Sequence, residues 1–430
     1  MNLYLTNSSI CDKDGNLLFY TNGIFIANAL NDTMQNGTEI NPGGFSNNWV
    51  GLGLPLPQAV VTINDPGNTS QFYLIHLVVD SNTLASAKKL RFSKVDMRLA
   101  SGLGAVTTKN QVIFNDSLIP ANLVAVKHAN GRDWWVVSHQ NHSNLFHTIL
   151  VSPSGIQGPF DQHIGKIMDW WGTAKFSPDG TKYASYDNTN GLQLIEFDRC
   201  SGLFYNERFY AFLNDTIASG GVSFSPDSKL LYVSRNAVLV QVNTDSILLE
   251  DGMDTVAIWD GFFSNQIRTG FSYSELGIDN KIYITPLGGT SVLHVVESPN
   301  TLGVGCNVIQ HAIMTPGVVY TPPSFPNYSL GPIIGTVCDS IINIVEENNQ
   351  PLFALSPNPT SGISIIHSLM GDFHNAEMYI YNSNGQIIFS SMINSGTSEH
   401  YIDFSEYLNG IYSIQIIDDL NVCSLRMIKM

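Results

Sequence analysis

Six times between residues 14 and 285 the chain repeats one short phrase: an acidic or amide turn, then an apolar or aromatic run. The copies are DGNLLFY (14–20), DPGNTSQFYLI (65–75), NGRDWWVV (130–137), DGTKYAS (179–185), DSKLLYVS (227–234) and DNKIYIT (279–285). Their turns stand at 14, 65, 130, 179, 227 and 279, with gaps of 51, 65, 49, 48 and 52 positions. A fixed period of roughly 40–50 residues, rich in β-branched and aromatic side chains, predicts β-propeller blades of four strands each. No apolar period of ~3.6 residues is sustained, which makes a helical reading poor.

Two units nearly superimpose. GTAKFSPDGTKYASYD (172–187) and GVSFSPDSKLLYVSR (221–235) share Phe-Ser-Pro-Asp, a turn and a strand. Phe176 and Phe224 are expected to end an inner strand and point into a blade interface. Pro178 and Pro226 preset φ at the turn, and Asp179 and Asp227 cap it with their side chains. Tyr183 and Tyr232 fall on the next strand. The run resembles the FSPDG blade motif of bacterial WD-like propellers, which implies a fold and says little of function.

With 430 residues the chain exceeds one ordinary core. Residues 1–335 are assigned to a propeller of six or seven blades, with seven favoured and a seventh inner strand expected around YTPPSFPNYSLGP (320–332). Residues 336–352, with the polar run EENNQ, read as a linker, and 353–430 as a small C-terminal β-sandwich. The fold class is all-β throughout. The start, MNLYLTNSSICDKDG, has neither a basic nor an apolar signal region. The chain opens inside a first repeat, so a lost N-terminal piece holding a signal peptide and a closing strand is the expectation.

The last seventy-odd residues change character. LSPNPTSG (355–362), YIYNSNGQIIFS (379–390), YLNGIYSIQI (407–416) and the closing RMIKM set turn signals beside alternating apolar runs. Asn358, Pro359 and Gly362 form the first turn. Asn384-Gly385, followed by Gln386, and Asn409-Gly410 are expected to turn hairpins, the second leading into Tyr412, Ile414 and Ile416. In this order the blocks resemble the C-terminal sorting domain of type IX secretion cargo, with its PNP-x-x-G, N-x-x-G-Q and L-x-x-G-x-Y pattern and a terminal basic residue, here Lys429. The final Met430 departs from that pattern. SSICDKDGNLLFYTNG (8–23), LIEFDRCSG (194–202) and PPSFPNYSLGP (322–332) likewise resemble the propeller of such cargo. The resemblance implies that the tail engages the secretion machinery, and that the protein is released or attached at the outer surface. The alternative for the tail is an ordinary carbohydrate-binding or fibronectin-like sandwich.

Charge and motifs then narrow the function. Net charge is −16 although only 13% of residues are charged, which argues against nucleic acid and anionic lipid as partners. No stretch reaches the ~18–20 apolar residues of a spanning helix. Of the five cysteines, Cys306 and Cys338 lie closest in sequence and are the expected pair, with unpaired thiols the alternative. Asp12, Asp14 and Asn16 look like the opening of a calcium loop, but the chain enters a strand at Leu17, so a plain hairpin turn is preferred. His139, His142 and His147 lie within nine residues but lack metal-ligand spacing. No GxSxG elbow, phosphate-binding Gly-rich loop or repeated Asp-box is present.

No catalytic residue, metal site or cofactor is therefore assigned. One of Trp134/Trp135 and one of Trp170/Trp171 should face a less buried side, because neighbours on a strand point opposite ways. Trp135, His139 and Trp171 are the expected ligand-facing residues. Two functions follow. One is a non-enzymatic binding or adhesion module for an extracellular protein or glycan. The other is a glycan-cleaving hydrolase or lyase whose carboxylates converge only in three dimensions.

Overall fold

The computed structural model describes residues 2–79, 86–168, 172–187, 189–212, 220–336, 338–339, 353–369, 371–373, 375–382, 387–417 and 422–429. The chain divides into two compact units, Met1–Ser340 and Ile341–Met430.

Six sheets follow one another in the first unit. The first has three strands: β1 (Ser8–Cys11), β2 (Leu17–Thr21) and β3 (Ile26–Asn28). The second holds β4 (Val60–Asp65), β5 (Asn68–Val78), β6 (Ala87–Asp96) and β7 (Ala105–Leu118). The third holds β8 (Val124–Lys127), β9 (Trp134–His139), β10 (Ser143–Ser152) and β11 (Gly155–Met168). The fourth holds β12 (Gly172–Phe176), β13 (Lys182–Asp187), β14 (Gly191–Asp198) and β15 (Leu203–Tyr210). The fifth holds β16 (Gly221–Phe224), β17 (Leu230–Arg235), β18 (Val238–Asn243) and β19 (Met253–Ile258). A small hairpin, β20 (Phe263–Ser264) and β21 (Ile267–Arg268), precedes the sixth. That last sheet holds β22 (Phe271–Leu276), β23 (Ile282–Pro286), β24 (Thr290–Val296) and β25 (Val308–Val319). All pairs are antiparallel neighbours in sequence, so each sheet is a meander and the unit is a β-propeller.

All six predicted turns fall at the same place in their blades, between the first strand and the second. The FSPD turns form as their chemistry dictates. Asp179 Oδ1 accepts from Ser177 Oγ (2.5 Å) and the Thr181 amide (3.0 Å). Asp227 Oδ1 accepts from Ser225 Oγ (2.6 Å) and the Lys229 amide (3.2 Å).

First strands of successive blades lie side by side around the axis. Side chains bridge between blades there: Gln58 both donates to the Ala174 carbonyl (2.7 Å) and accepts from its amide (2.8 Å). Thr173 Oγ1 accepts from the Val222 amide (3.1 Å).

Away from the axis, the blades bury both faces. Strand alternation sends neighbouring residues to opposite interfaces. Tyr183 joins the core between blades three and four, while Ala184 joins the core between four and five. Leu231 and Val233 face blade four, while Leu230 and Tyr232 face blade six. Five junctions carry such a core among the described residues.

The junction between blades six and one is built differently. Tyr4 meets Tyr320 edge-on at 4.6 Å, and the Ser324 amide donates to the Asn7 carbonyl (3.1 Å). Residues 320–332 form no seventh inner strand; six blade sheets are present among the described residues. The reason is local: Pro322, Pro323, Pro326 and Pro332 carry no backbone donor for a ladder. The segment instead runs as a strap over blades one to four. Tyr328 donates its hydroxyl to the Thr62 carbonyl (2.6 Å), and Asn327 donates to the Pro178 carbonyl (2.9 Å). Buried Arg199 donates to the carbonyls of Gly331 (2.6 Å) and Lys127 (2.8 Å). At Gly131, with φ of 73°, any Cβ would lie 2.7 Å from the Pro332 nitrogen, so the strap needs glycine there.

A Cys200–Cys338 disulfide closes the strap, with Cα atoms 5.7 Å apart. The Cys306–Cys338 pairing expected from proximity in sequence is therefore incorrect. Cys306 is a buried free thiol in the core between blades five and six, and Cys11 is free and exposed. The bond also carries the propeller unit past residue 335 to Ser340, into the stretch assigned to the linker. The EENNQ run lies outside the described residues.

The second unit packs two sheets on one core. One holds β26 (Phe353–Ser356), β27 (Ile363–Ser368) and β30 (Glu399–Asp403). The other, ordered β29-β28-β31-β32, holds β28 (Ala376–Tyr381), β29 (Ile387–Ile393), β31 (Gly410–Ile417) and β32 (Val422–Lys429). Phe353, Ile366 and Ile402 of the first sheet meet Met378, Ile380, Ile414 and Met427 of the second, giving a small β-sandwich.

Closing 138 positions of chain constrains the unfolded state strongly, by about 2–4 kcal/mol in typical cases. Cys200→Ser should lower the stability of the oxidised protein by about that amount, read from denaturant midpoints. Cys11→Ser, at an exposed thiol, should leave them unchanged. Equal midpoints for the Cys200 variant and the parent would remove the strap's role in closure.

Candidate functional site

The first strands end on a cavity of about 490 Å³ at one mouth of the propeller. Its rim is made by the FSPD turns at Pro178 and Pro226 and by Ile278 of blade six, while strap residues Ser324–Ser329 form one side. Its position follows from the repeat. The residue four places before each turn residue is Val61, Val126, Lys175, Ser223 and Glu275 in blades two to six, and all five line the cavity. The wall is thus apolar on blades two and three and polar on blades four to six.

Lys175 and Glu275 form an ion pair across the polar wall, with side chains 12% and 11% exposed. Burial pushes the Glu275 carboxyl up from its ordinary range, and the Lys175 ammonium opposes that rise. Between them in the blade order, Ser223 is buried and its hydroxyl has no hydrogen-bond partner among the described residues. Glu275 is the one carboxylate among the described residues lining the cavity. Composition could not single out this trio. Aligning the repeats on their turns would have, because three consecutive blades place a polar residue at an otherwise apolar position.

The residues singled out from sequence lie elsewhere. Trp135 is 5% exposed, in the core between blades three and four, and its indole donates to the Arg199 carbonyl (2.8 Å). Trp134 is buried in the core between blades two and three. Both faces of β9 are blade interfaces, so neither indole reaches a less buried side. Trp170 and Trp171 lie outside the described residues.

His139 is 2% exposed, edge-on to Phe146 at 4.4 Å, and hydrogen-bonded to the Gln140 carbonyl (2.8 Å). His142 sits in the β9–β10 turn with φ of 55°. His147 bridges Asp161 (2.7 Å) and Asp116 (2.9 Å). Among the described residues no group of three or more His, Cys, Asp or Glu is placed to hold a metal ion. Asp12 closes the β1–β2 hairpin, accepting from the amides of Asp14 (2.9 Å) and Asn16 (2.8 Å), as the hairpin reading expects.

In the tail, the first and last blocks of the motif meet. Asn358 Oδ1 accepts from the Ile428 amide (2.9 Å), and the Thr360 amide donates to the Ile428 carbonyl (2.9 Å). Lys429, 8% exposed, donates its ammonium to the Ser361 carbonyl (2.9 Å). Pro359 stands between these contacts, and the Gly362 carbonyl accepts from the Phe404 amide (3.0 Å). Tyr412, Ile414 and Ile416 all point inward, as their alternation predicts, and Tyr412 donates to the Leu408 carbonyl (2.7 Å). Asn409-Gly410 does not turn a hairpin, however. It leads from β30 in one sheet to β31 in the other. Gly385 and Gln386 lie outside the described residues, although β28 and β29 on either side pair antiparallel.

Residues 354–430 match the family described as the secretion system C-terminal sorting domain. The match supports a secreted type IX cargo. No curated protein matches the chain. Among solved structures, a protein from Lactobacillus plantarum is 9% identical with a TM-score of 0.41, covering 92% of this chain and 98% of that one. A quinonprotein alcohol dehydrogenase-like protein from Bacteroides thetaiotaomicron is 9% identical with a TM-score of 0.37, covering 74% and 67%. The Dos1 propeller is 8% identical with a TM-score of 0.35, covering 75% and 76%. Similarity this low carries no argument about chemistry. No described helix is long and apolar enough to cross a membrane.

Two outcomes test the electrostatics. Breaking a buried pair leaves an uncompensated charge, whereas replacing both partners is close to neutral. Lys175→Met should therefore cost about 3 kcal/mol, and Lys175→Met with Glu275→Leu should recover most of it in denaturant titrations. The buried histidines set an acid limit. Burial lowers His139 and His294 from 6.5 to about 4. The unfolded chain takes up these protons first, so stability should be full above the unfolded value of 6.5 and fall as pH drops toward 4. Melting temperature against pH reads this directly, and His139→Gln should flatten the slope.

Proposed function

We propose that the protein is a type IX cargo whose propeller is a non-enzymatic recognition module, released or held at the outer surface. The observation that carries this reading is the occupation of the cavity's polar wall. Glu275, the one carboxylate among its described lining residues, is engaged by Lys175, and the chain's own strap fills one side of the mouth. Two-carboxylate glycoside cleavage needs a second acid within ~5–9.5 Å of the first, facing the same substrate. The described lining supplies apolar side chains, backbone and an ion pair instead.

The tail supports the other half. Asn358 and Lys429 are spent on joining the two ends of the domain, so the sorting motif is first a folding motif. A correctly closed sandwich is then what the secretion machinery engages. The propeller's stacked blades give a rigid frame that presents loops and the funnel mouth to a partner outside the cell.

Fusing residues 353–430 behind a general export signal to a fluorescent reporter tests the address. In a bacterium with the type IX machinery the reporter should reach the outer surface or medium. A reporter held in the periplasm would overturn the export reading. Chromogenic glycosides incubated with the full chain should release no product. Release that disappears in Glu275→Gln would make the protein an enzyme.

A further inference from the structure

We infer that the funnel cavity is a binding site for a neutral saccharide, either a free mono- or disaccharide or the end of a glycan. The inference rests on the recognition reading above and names its ligand class. Three features of the cavity carry it, and each is independent of the tail.

The first is the charge of its polar wall. Lys175 and Glu275 cancel, so the wall offers strong donors and acceptors with no net charge. An anionic ligand would meet Glu275 at close range, and a cationic one Lys175, in a setting where like charges repel strongly. A hydroxyl suits both, because it accepts from the ammonium and donates to the carboxylate.

The second is Ser223. Ser223 is 1% exposed, and its hydroxyl, with no partner among the described residues, is costly to leave unmet. It lies in blade five, between the blades that supply Lys175 and Glu275, and it lines the same cavity. It adds a third donor and acceptor to the wall. A row of alternating donors and acceptors is what the hydroxyl edge of a sugar ring requires.

The third is the opposite side. Val61, Leu123 and Ala125 of blades two and three, with Phe325 and Tyr328 of the strap, present an apolar surface. The C–H face of a sugar ring packs on such a surface, and aromatic rings favour it. The cavity's 490 Å³ falls in the range of small-molecule sites, roughly 300–1,000 Å³. Rim residue Ile278 is fully exposed and leaves the mouth open toward the solvent beside it.

The test titrates the full chain with glucose, N-acetylglucosamine and maltose, and with glucuronate and glucosamine as charged comparators, read by calorimetry and saturation-transfer NMR. At least one neutral sugar should bind, with Kd near the millimolar range and about tenfold tighter than its charged counterparts. Ser223→Ala, a small change to a hydroxyl that makes no bond among the described residues, should weaken that binding about five- to tenfold while the melting temperature holds. Lys175→Met with Glu275→Leu should abolish it. No binding of any neutral sugar at about 50 mM would overturn the inference, since that exceeds a useful affinity. So would equal binding of the charged sugars, or binding indifferent to Ser223→Ala. Export of the reporter is a separate readout, so failure here leaves the secreted recognition module standing with another ligand.

Discussion

Burial of both faces of each inner blade is the constraint on which the rest of the propeller depends. A sheet with one face in water can tolerate alternation between apolar and polar residues. These blades cannot, because each of their two faces is a neighbour's core. That is why β9 runs through six buried residues, Trp134–His139, without a break. The same constraint explains why burial lowers the pKa of His139 and His294. They occupy interface positions where burial disfavours a proton, His139 beside Phe146 and His294 between Phe271 and His311.

A ring built this way has one weak place, where its ends meet. Each apolar side chain fully buried in an inter-blade core contributes about 1.5–3 kcal/mol. Among the described residues, five junctions draw on many such side chains, and the sixth draws on a few tyrosine contacts and polar bonds. The strap compensates by spanning the seam. It bonds to Asn7 in blade one's approach, to Thr62 in blade two and to Arg199 in blade four, and the disulfide fixes its far end. Bonds of this type form in oxidising compartments, which agrees with a protein bound for the outside of the cell. In crossing the seam the strap also walls the cavity, so ring closure and the shape of the site share one device.

The sorting domain uses a comparable economy on a smaller scale. Its two ends meet through Asn358, Thr360 and Lys429 rather than through a continuous ladder. Lys429, a residue 8% exposed, bonds its ammonium to a carbonyl and fixes the last strand against the first turn. A basic residue near the terminus is thus explained by the fold of the domain itself, before any partner is considered.

Local patterns that need only neighbours in sequence were legible: the turn period, the FSPD caps, the inward set Tyr412, Ile414 and Ile416, and the two-part all-β plan. Readings that required knowing what lies across a face were not. Trp135 and His139 looked available because strand parity distinguishes two sides without saying that both are filled. YTPPSFPNYSLGP was expected to hold a seventh inner strand, but its prolines lack the backbone donors of a ladder. Cys306 looked like the partner of Cys338 because separation along the chain is a poor measure of separation around a ring. By itself the sequence determined where each blade turns and which residues are inward or outward within a strand, since these depend on φ, ψ and a period of two. Only the tertiary structure decided that Lys175 of blade four reaches Glu275 of blade six, 100 positions away, because residues distant in sequence become neighbours when a linear repeat closes into a circle.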